Sequence, residues 1–244
     1  MERWLPAAAS GHASMLDAVL FSVHAHMLLI FVVWSAVFVY ALVRFRANAN
    51  PEPRQQGVRG LWPAVAIGGV IAGDVIILAT QALPAWSARN EPPAANIEPL
   101  EVRVTAEQFA WNIHYPGPDS AFGRTRQDLV SASNPVGIDR DDPAAKDDIG
   151  LLNVLTLPVD RTAIVQLASR DVIHSFTLLP MRVKQDANPG MVSRIWFTPT
   201  ATGEWEISCS QLCGLGHYRM RGEFRVVTAD AWEAWVAEEM SRLR

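Results

Sequence analysis

Two long apolar stretches stand at the front of the chain. Residues 19–43 contain no Asp, Glu, Lys or Arg, and residues 61–88 contain a single charged residue, Asp74. A helix needs about 20 apolar residues to cross a bilayer. The pattern therefore predicts a two-helix transmembrane hairpin within residues 1–90, with spans at about 19–43 and 61–84. A buried helical hairpin of a soluble protein is the less favoured interpretation.

The basic residues between the two spans orient the hairpin. Arg44, Arg46, Arg54 and Arg59 stand there against one acidic residue, Glu52. Because cytoplasmic loops carry an excess of Lys and Arg, this loop is predicted to be cytoplasmic, and the N-terminus and the rest of the chain are predicted to lie on the outer side. A cleaved signal peptide is disfavoured, since its apolar core is usually only about 7–15 residues long.

Three polar side chains inside the spans are interpreted as contact points. His24 and His26 fall in the first span and Asp74 falls in the second, and such groups usually face a protein partner or a polar pocket. For the histidines, helix packing or a partner contact is favoured over metal binding. For Asp74, a contact with another membrane subunit and a proton path both stay open.

The pattern changes after a linker at residues 91–99, which is rich in Pro, Ala and Asn. Short segments then alternate apolar and polar residues or are rich in β-branched residues, as strands are. They lie at residues 101–105, 153–157, 162–167, 194–198, 204–208 and 222–228. Short strands between Pro and Gly turns predict a sandwich or barrel over residues 100–244. The domain is predicted to end in a helix, capped by Asp230 with Glu233 as its capping-box partner.

Residues 116–150 are predicted to be a loop inserted into this β domain. The loop is rich in aspartate, at Asp139, Asp141, Asp142, Asp147 and Asp148. A solvated loop is favoured over a docking surface for a basic partner. The spacing also lacks the Gly and Glu positions of an EF-hand calcium loop.

The overall composition excludes several classes of protein. Apolar residues make up 50% of the chain and charged residues 19%, which excludes an intrinsically disordered chain. The net charge of −4 argues against a nucleic-acid binder. Two cysteines are too few for a disulfide-dense secreted scaffold.

The candidate chemistry lies in one stretch near the C-terminus. Cys209, Cys213, His217 and Met220 fall within twelve residues, and His174 stands 35 residues upstream of the first cysteine. Thiolates and a thioether together with imidazoles favour copper, whereas a structural zinc site would use only Cys and His. The alternative is a disulfide between the two cysteines, which would leave the other three side chains unexplained.

A site with one copper ion needs only one cysteine. Two thiolates therefore point to two copper ions bridged by both sulfurs, each ion with one histidine and one weak ligand. Met220 is one candidate weak ligand, and the backbone carbonyl of Gln211, between the cysteines, is the other. Such a site suits electron transfer rather than substrate chemistry.

The whole chain resembles subunit II of cytochrome c oxidase, in the haem–copper oxidase family. The family pattern Cys-x-Glu-x-Cys-Gly-x-x-His-x-x-Met corresponds to residues 209–220, and an Asp-Val-x-His-Ser segment corresponds to residues 171–175. The resemblance implies a membrane-anchored all-β protein, with a cupredoxin-like Greek-key β-barrel and a binuclear CuA centre. It also implies the ligand set, which is His174, Cys209, Gln211 (carbonyl), Cys213, His217 and Met220.

Three departures from the family pattern change what the resemblance implies. Gln211 replaces a Glu that helps to bind Mg²⁺ at the interface with subunit I, and a neutral amide is a poorer ligand for a hard cation, which weakens the expectation of that metal. Phe109 stands where the family often has the Trp that receives electrons from cytochrome c, with Trp111 two residues on; these two are the candidates for electron entry, and the alternative is that both belong to the barrel core. Arg59 stands where many members have a Glu at the mouth of a proton channel, shortly before the Trp of the second helix, here Trp62, so proton entry by that route is not expected.

The resemblance implies an electron-input subunit of an aerobic terminal oxidase. Its copper centre would take electrons from cytochrome c and pass them to haem in subunit I, where O₂ reduction is coupled to proton translocation. Subunit I, subunit III, cytochrome c and the lipid of a bacterial-type plasma membrane or mitochondrial inner membrane are the implied partners. A CuA-bearing subunit of a nitric oxide reductase and a membrane-tethered copper carrier stay open as alternatives.

Overall fold

A computed structural model describes residues 5–46, 57, 60–91, 93 and 98–243 of the chain. The chain divides into two compact units. One comprises residues 1–14 together with 89–244, and the other comprises residues 15–88. Arg54 and Arg59 of the predicted cytoplasmic loop and most of the predicted linker at 91–99 lie outside the described residues.

The second unit consists of two apolar helical stretches. Helix α1 runs over Ala13–Arg44. Helix α2 runs over Trp62–Ile77, continues through a π-helical turn at Leu78–Ala82 and ends as α3 over Leu83–Asn90. Both stretches are long and apolar enough to cross a membrane, with mean hydropathies of 2.3 and 1.9 in their best windows, none of which is buried. They contain the two predicted spans and anchor the protein to a membrane.

The first unit is built on two five-stranded sheets. Its strands, β1 to β10 in chain order, are Leu100–Glu107, Ala110–Tyr115, Ile149–Leu152, Val154–Pro158, Ala163–Ser169, His174–Leu178, Val183–Ala187, Ser193–Phe197, Gly203–Cys209 and Arg221–Val227. The first sheet has the order β3-β2-β1-β5-β8 and the second has the order β4-β10-β9-β6-β7. Strands β1 and β5 pair in parallel, as do β4 and β10, while the other pairs are antiparallel.

The core of the β unit lies between the two sheets. In β1 the alternating residues Leu100, Val102, Val104 and Ala106 are buried, as a half-buried strand requires. Aromatic pairs then join the sheets. Trp111 of β2 contacts Phe176 of β6 edge-on, with ring centroids 5.6 Å apart, and Phe197 of β8 contacts Phe224 of β10 at 6.5 Å. Edge-to-face contacts of this kind add to the stabilisation from burial.

The C-terminal helix is present, but its predicted cap is wrong. Helix α4 covers Ala229–Arg242, and Thr228 is the N-cap residue, with its hydroxyl accepting from the backbone N–H of Ala231. Because the helix begins earlier than predicted, Asp230 lies in the first turn, where a carboxylate still favours the positive end of the helix dipole. Trp232 and Trp235 pack against the core.

The segments that flank the helical hairpin both belong to the β unit. The backbone N–H of Ala9 donates to the carbonyl of Pro180 at 2.9 Å, and the Ser10 hydroxyl donates to the carbonyl of Met181 at 2.7 Å. Beyond the second helical stretch, Trp196 Nε1 donates to the carbonyl of Glu91. Both flanking segments are thus held by the sandwich through hydrogen bonds that are distant in sequence.

Two aspartates of the inserted segment are buried in the protein. This corrects the prediction that the segment is a solvated loop. Asp148 is fully buried, and its Oδ2 accepts from His114 Nε2 at 2.6 Å and from the backbone N–H of Gly123 at 2.9 Å. Asp139 is 2% exposed and pairs with Arg124 at 2.8 Å. These carboxylates are buried because donors distant in sequence meet them, as buried charges require.

We expect Asp148→Asn to lower the free energy of unfolding of the β unit by about 2–4 kcal/mol, because a buried acceptor of two hydrogen bonds loses its charge. The measurement is the apparent melting temperature of the detergent-solubilised chain by circular dichroism. Asp128→Asn is the matched control, since Asp128 pairs with Arg126 on the surface and its loss should leave the melting temperature unchanged. Equal shifts for the two variants would contradict the role of Asp148.

Candidate metal centre

Three connections of the sandwich meet at one end of the second sheet. They are the β1–β2 turn, the β5–β6 connection and the long β9–β10 connection. His174 is the first residue of β6 and Cys209 is the last residue of β9. Because these strands pair antiparallel, with Phe176 opposite Cys209, the start of one and the end of the other lie together. The β9–β10 connection then returns Met220 to the same place.

The structure brings all six sequence-predicted donor groups together. Cys213 Sγ lies 3.8 Å from Cys209 Sγ, 3.6 Å from His217 Nδ1 and 3.6 Å from Met220 Sδ. His174 Nδ1 lies 3.1 Å from Met220 Sδ. The Cys209 thiol donates to the carbonyl oxygen of Gln211 at 3.2 Å. The ligand atoms of His174, Cys209 and Cys213 all lie within 4.8 Å of one another.

The cluster lies at the edge of the core. His174, Cys213 and Met220 are buried, while Cys209 and His217 are half-buried. Burial raises the pKa of Cys213 to about 11, and the neighbouring Cys209 thiol raises it further in the same direction. Both cysteines are free. A metal ion binding here must therefore displace thiol protons, as thiolate ligation requires.

Two glycines shape the connection that carries four of the donors. Gly214 has a φ of +133°, a conformation that side-chain-bearing residues rarely adopt. A Cβ on Gly216 would lie 2.4 Å from the ring of Phe109. The loop can therefore lie directly on the Phe109 ring, which is half-buried beside the donors.

A chain of hydrogen bonds ties the three connections to one another. Asp171 Oδ1 accepts from His174 Nε2 at 2.8 Å, so the other ring nitrogen of His174 faces the sulfur atoms. Asp171 Oδ2 accepts from the backbone N–H of Gln108 at 2.6 Å, and Gln108 Nε2 donates to the Cys213 carbonyl at 2.7 Å. Asp171 thus orients a donor imidazole, as carboxylates beside metal-binding histidines do.

The carboxylate of Asp171 is held in its charged form. Burial acts to raise its pKa, but hydrogen bonds from His174 and from the backbone N–H groups of Gln108 and Val172 outweigh that effect and hold the pKa below its usual range. An ionised carboxylate is the stronger acceptor for an imidazole N–H. Gln108 is not among the site residues predicted from the sequence. Its position next to Phe109 is the only sequence feature that could have indicated a role at the site.

The two aromatic candidates for electron input occupy different environments. Trp111 is fully buried between the sheets, with its ring edge-on to His174 at a centroid distance of 6.2 Å. A protein docking at the surface therefore cannot touch Trp111 directly. Phe109 is half-buried and packs against the loop that carries Cys213 and His217.

The donor set fits copper. Two thiols, two imidazoles, a thioether and a carbonyl oxygen, joined by neighbour distances of 3.1–3.8 Å, form a soft site, which favours copper over hard cations such as Mg²⁺ or Ca²⁺. A structural zinc site uses Cys and His ligands, so the thioether would have no role in one.

Residues 100–227 match the family described as cytochrome c oxidase subunit II, periplasmic domain. The chain belongs to this family. Its β unit is accordingly cupredoxin-like, and the predicted fold class is confirmed. The chain is also 32% identical over 207 residues to the alternative cytochrome c oxidase subunit 2 of Bradyrhizobium diazoefficiens, covering 82% of this chain and 71% of that relative.

Two further proteins are similar to this chain. The chain is 29% identical to the cytochrome c oxidase subunit 2 of Cereibacter sphaeroides, covering 83% of this chain and 68% of that relative. Among solved structures, the periplasmic domain of subunit II of cytochrome oxidase from Bradyrhizobium japonicum is 30% identical, with a TM-score of 0.45, covering 62% of this chain and 99% of that domain. The family places the chain as a subunit of a haem–copper oxidase.

Gln108→Ala tests the hydrogen bonds that join the connections. Loss of the Nε2 donor to the Cys213 carbonyl should destabilise the loop by about 1 kcal/mol and speed amide hydrogen exchange across residues 210–219 in the metal-free chain. Gln127→Ala is the matched control, since Gln127 is an exposed glutamine in the inserted segment. Unchanged exchange in Gln108→Ala would show that the loop holds its shape without this residue.

Proposed function

We propose that this chain is the electron-input subunit of an aerobic terminal oxidase. Its binuclear copper centre would accept electrons from cytochrome c and deliver them to haem in subunit I, for O₂ reduction coupled to proton translocation. The single observation that carries the proposal is the convergence of six donor groups of copper-binding chemistry at one end of the sandwich.

The proposed division of the donors between two copper ions rests on the contacts within the cluster. His174 and Met220 lie together on one side, at 3.1 Å. His217 lies against Cys213, and the Gln211 carbonyl lies against Cys209. We assign one histidine and one weak ligand to each ion, with both cysteines shared. When bound, such a pair of bridged copper ions exchanges single electrons with little change in geometry.

The protein environment supports fast exchange because the donors are held before any metal binds. Asp171 fixes the ring of His174 through a 2.8 Å hydrogen bond, and Gln108 holds the Cys213 carbonyl. A site that is held by packing and hydrogen bonds reorganises little when its charge changes, which lowers the barrier to electron transfer.

Exposed apolar side chains around the cluster are suited to partner docking. Leu212, Leu215 and Tyr218 are 77%, 97% and 84% exposed on the loop that carries Cys213 and His217. Apolar groups that stand out together on a surface mark protein interaction sites. We assign this loop to the contact with subunit I, and we assign Phe109, which packs against the loop's inner side, to the path from cytochrome c.

The membrane arrangement follows from the flanking segments. Residues 9–10 and residue 91 are both hydrogen-bonded to the β unit, so a hairpin of two spans would begin and end on the same side of the membrane. With the basic loop in the cytoplasm, the copper-binding domain would lie on the outer side. Subunit III is a further proposed partner. With Gln211 in place of Glu, Mg²⁺ at the interface with subunit I is not part of the proposal.

Copper reconstitution of the full chain in detergent tests the centre itself. We expect two copper ions per chain that share one unpaired electron over both nuclei in electron paramagnetic resonance. Met220→Leu should change the spectrum, because it removes one weak ligand. Met27→Leu is the matched control, since Met27 is a 59% exposed methionine of helix α1, and it should leave the spectrum unchanged.

Other outcomes would contradict the proposed centre. One copper ion per chain, bound zinc in place of copper, or a Cys209–Cys213 disulfide that persists through reduction and reconstitution would remove the electron-input role. The copper-carrier alternative would then be the better account. Cys209→Ser and Cys213→Ser should each abolish the two-copper signal, since both sulfurs are shared between the ions.

Phe109→Leu tests the proposed path from the electron donor. We expect electron transfer from reduced cytochrome c to slow by about tenfold, because the aromatic contact with the copper loop is lost, while the copper spectrum stays unchanged. Phe122→Leu serves as the control, since Phe122 is a half-buried phenylalanine of the inserted segment. Stopped-flow oxidation of reduced cytochrome c by the whole oxidase measures the rate. Equal rates for both variants would rule out Phe109.

A further inference from the structure

A pocket lies at the end of the sandwich opposite to the donor cluster. Strand β1 begins at Leu100, which lines the pocket, and ends at Glu107, next to the Gln108 that contacts Cys213. Strand β2 runs back antiparallel to β1, and its last residue, Tyr115, lines the pocket too. The pocket has a volume of about 380 Å³, within the range of small-molecule sites, roughly 300–1,000 Å³. Helix α4 also lines it, and we call it the α4 pocket.

Aromatic rings form a large part of the lining of the α4 pocket. Trp232 and Trp235 of α4 are half-buried there, with their ring centroids 4.8 Å apart. Tyr115 packs against both indoles, at centroid distances of 5.9 and 5.3 Å. Its hydroxyl donates to the carbonyl of Thr156 at 3.0 Å and accepts from the N–H of Thr156 at 2.8 Å, which holds the ring in place. A lining of this kind is suited to another aromatic ring.

The start of the inserted segment forms a second part of the lining, and local constraints hold its backbone. Pro116, Gly117 and Pro118 line the α4 pocket, and each proline has a fixed φ. Gly117 has a φ of +66°, and a Cβ there would overlap the backbone carbonyl of Asp147. The N–H of Asp119 donates to Asp147 Oδ2 at 3.1 Å. The lining is therefore held before any ligand binds, which lowers the entropic cost of binding.

One lining residue is a cation without a counter-ion. Arg161 is exposed in the β4–β5 connection and has no acidic partner in the part of the chain that the structure describes. Its neighbours are fixed, since the N–H of Asp160 donates to the carbonyl of Pro199 and the carbonyl of Thr162 accepts from Leu100, both at 2.8 Å. A guanidinium presents a planar fork of donors that matches a carboxylate. Other arginines of the β unit are in ion pairs, and they are Arg124, Arg126, Arg170, Arg221, Arg225 and Arg242.

A second lining residue is an anion without a counter-ion. Glu233 of α4 is exposed and forms no ion pair with Arg161 or with any other described residue. Glu238 and Glu239 of the same helix both pair with Arg242, at 2.6 Å. The α4 pocket therefore combines an aromatic lining with one cation and one anion that the described chain leaves unpaired.

We propose that the α4 pocket binds a free aromatic amino acid. Its ring lies against the indoles of Trp232 and Trp235, its carboxylate binds Arg161 and its ammonium group binds Glu233. Charge complementarity selects this class of ligand, because a zwitterion pairs with both groups. A simple anion would be repelled by Glu233, and a simple cation would be repelled by Arg161. The proposal does not depend on copper binding at the other end of the sandwich.

Isothermal titration calorimetry of the detergent-solubilised full chain with L-tryptophan tests the pocket. We expect saturable binding of one molecule per chain. Arg161→Gln and Glu233→Gln should each weaken binding by about tenfold, since each removes a charge-assisted hydrogen bond. Arg194→Gln and Glu204→Gln are the matched controls, because both residues are exposed and lie outside the lining of the α4 pocket. They should bind L-tryptophan like the unchanged chain.

Two analogues of the ligand assign the two charges. L-Tryptophanamide lacks the carboxylate, so it should bind the unchanged chain about tenfold more weakly than L-tryptophan, and Arg161→Gln should not weaken its binding further. Indole-3-propionate lacks the ammonium group and should behave in the same way toward Glu233→Gln. L-Tryptophan should also slow amide hydrogen exchange within residues 229–240 and leave residues 210–219 of the donor cluster unchanged.

Four results would overturn the proposal. Absence of saturable binding at millimolar L-tryptophan would mean that the pocket has no such ligand. Equal affinities in Arg161→Gln, Glu233→Gln and the unchanged chain would reduce the pocket to an apolar groove. Indole-3-propionate that binds as tightly as L-tryptophan would make the ligand a simple aromatic anion. Slower exchange elsewhere in the chain, with none in residues 229–240, would place the bound amino acid at another site.

Discussion

The antiparallel pairing of β6 with β9 sets the distance between the parts of the donor cluster. His174 begins one strand and Cys209 ends the other, so the ladder that places Phe176 opposite Cys209 also places an imidazole beside a thiol. The edge-on contact between Trp111 and Phe176 fixes β6 against the first sheet. His174 and Cys209 are therefore carried by paired strands, and the other four donors lie in the connection between β9 and β10.

The polar contacts around the cluster extend this rigidity across three connections. Asp171 accepts from His174 and from the backbone of Gln108, and Gln108 in turn donates to Cys213. A shift in any one of these connections would break a hydrogen bond in another. Orientation of a donor ring by a carboxylate is a general feature of metal sites, and here the same carboxylate also fixes the turn that carries Phe109.

Features that depend on local spacing could be predicted from the sequence. The spans are continuous apolar runs, β1 alternates residue by residue, and four of the donors fall within one twelve-residue stretch. Features that depend on distant partners could not. From the sequence alone, Asp148 is predicted to be a solvated loop residue. Its burial depends on a hydrogen bond with His114, 34 residues earlier in the chain. Gln108 contacts Cys213 across 105 residues. Thr228 and Asp230 are both good caps, and only the start of the helix distinguishes them.

The hydrogen bonds of the N-terminal segment constrain the order of biogenesis. Ala9 accepts from the backbone N–H of Thr200, and Ser10 donates to the carbonyl of Met181, 171 residues later in the chain. These bonds can form only after translation has passed residue 200. The first helix therefore leaves the ribosome before the contacts that hold its upstream segment exist, and the folding of the sandwich is the event that fastens both ends of the membrane anchor.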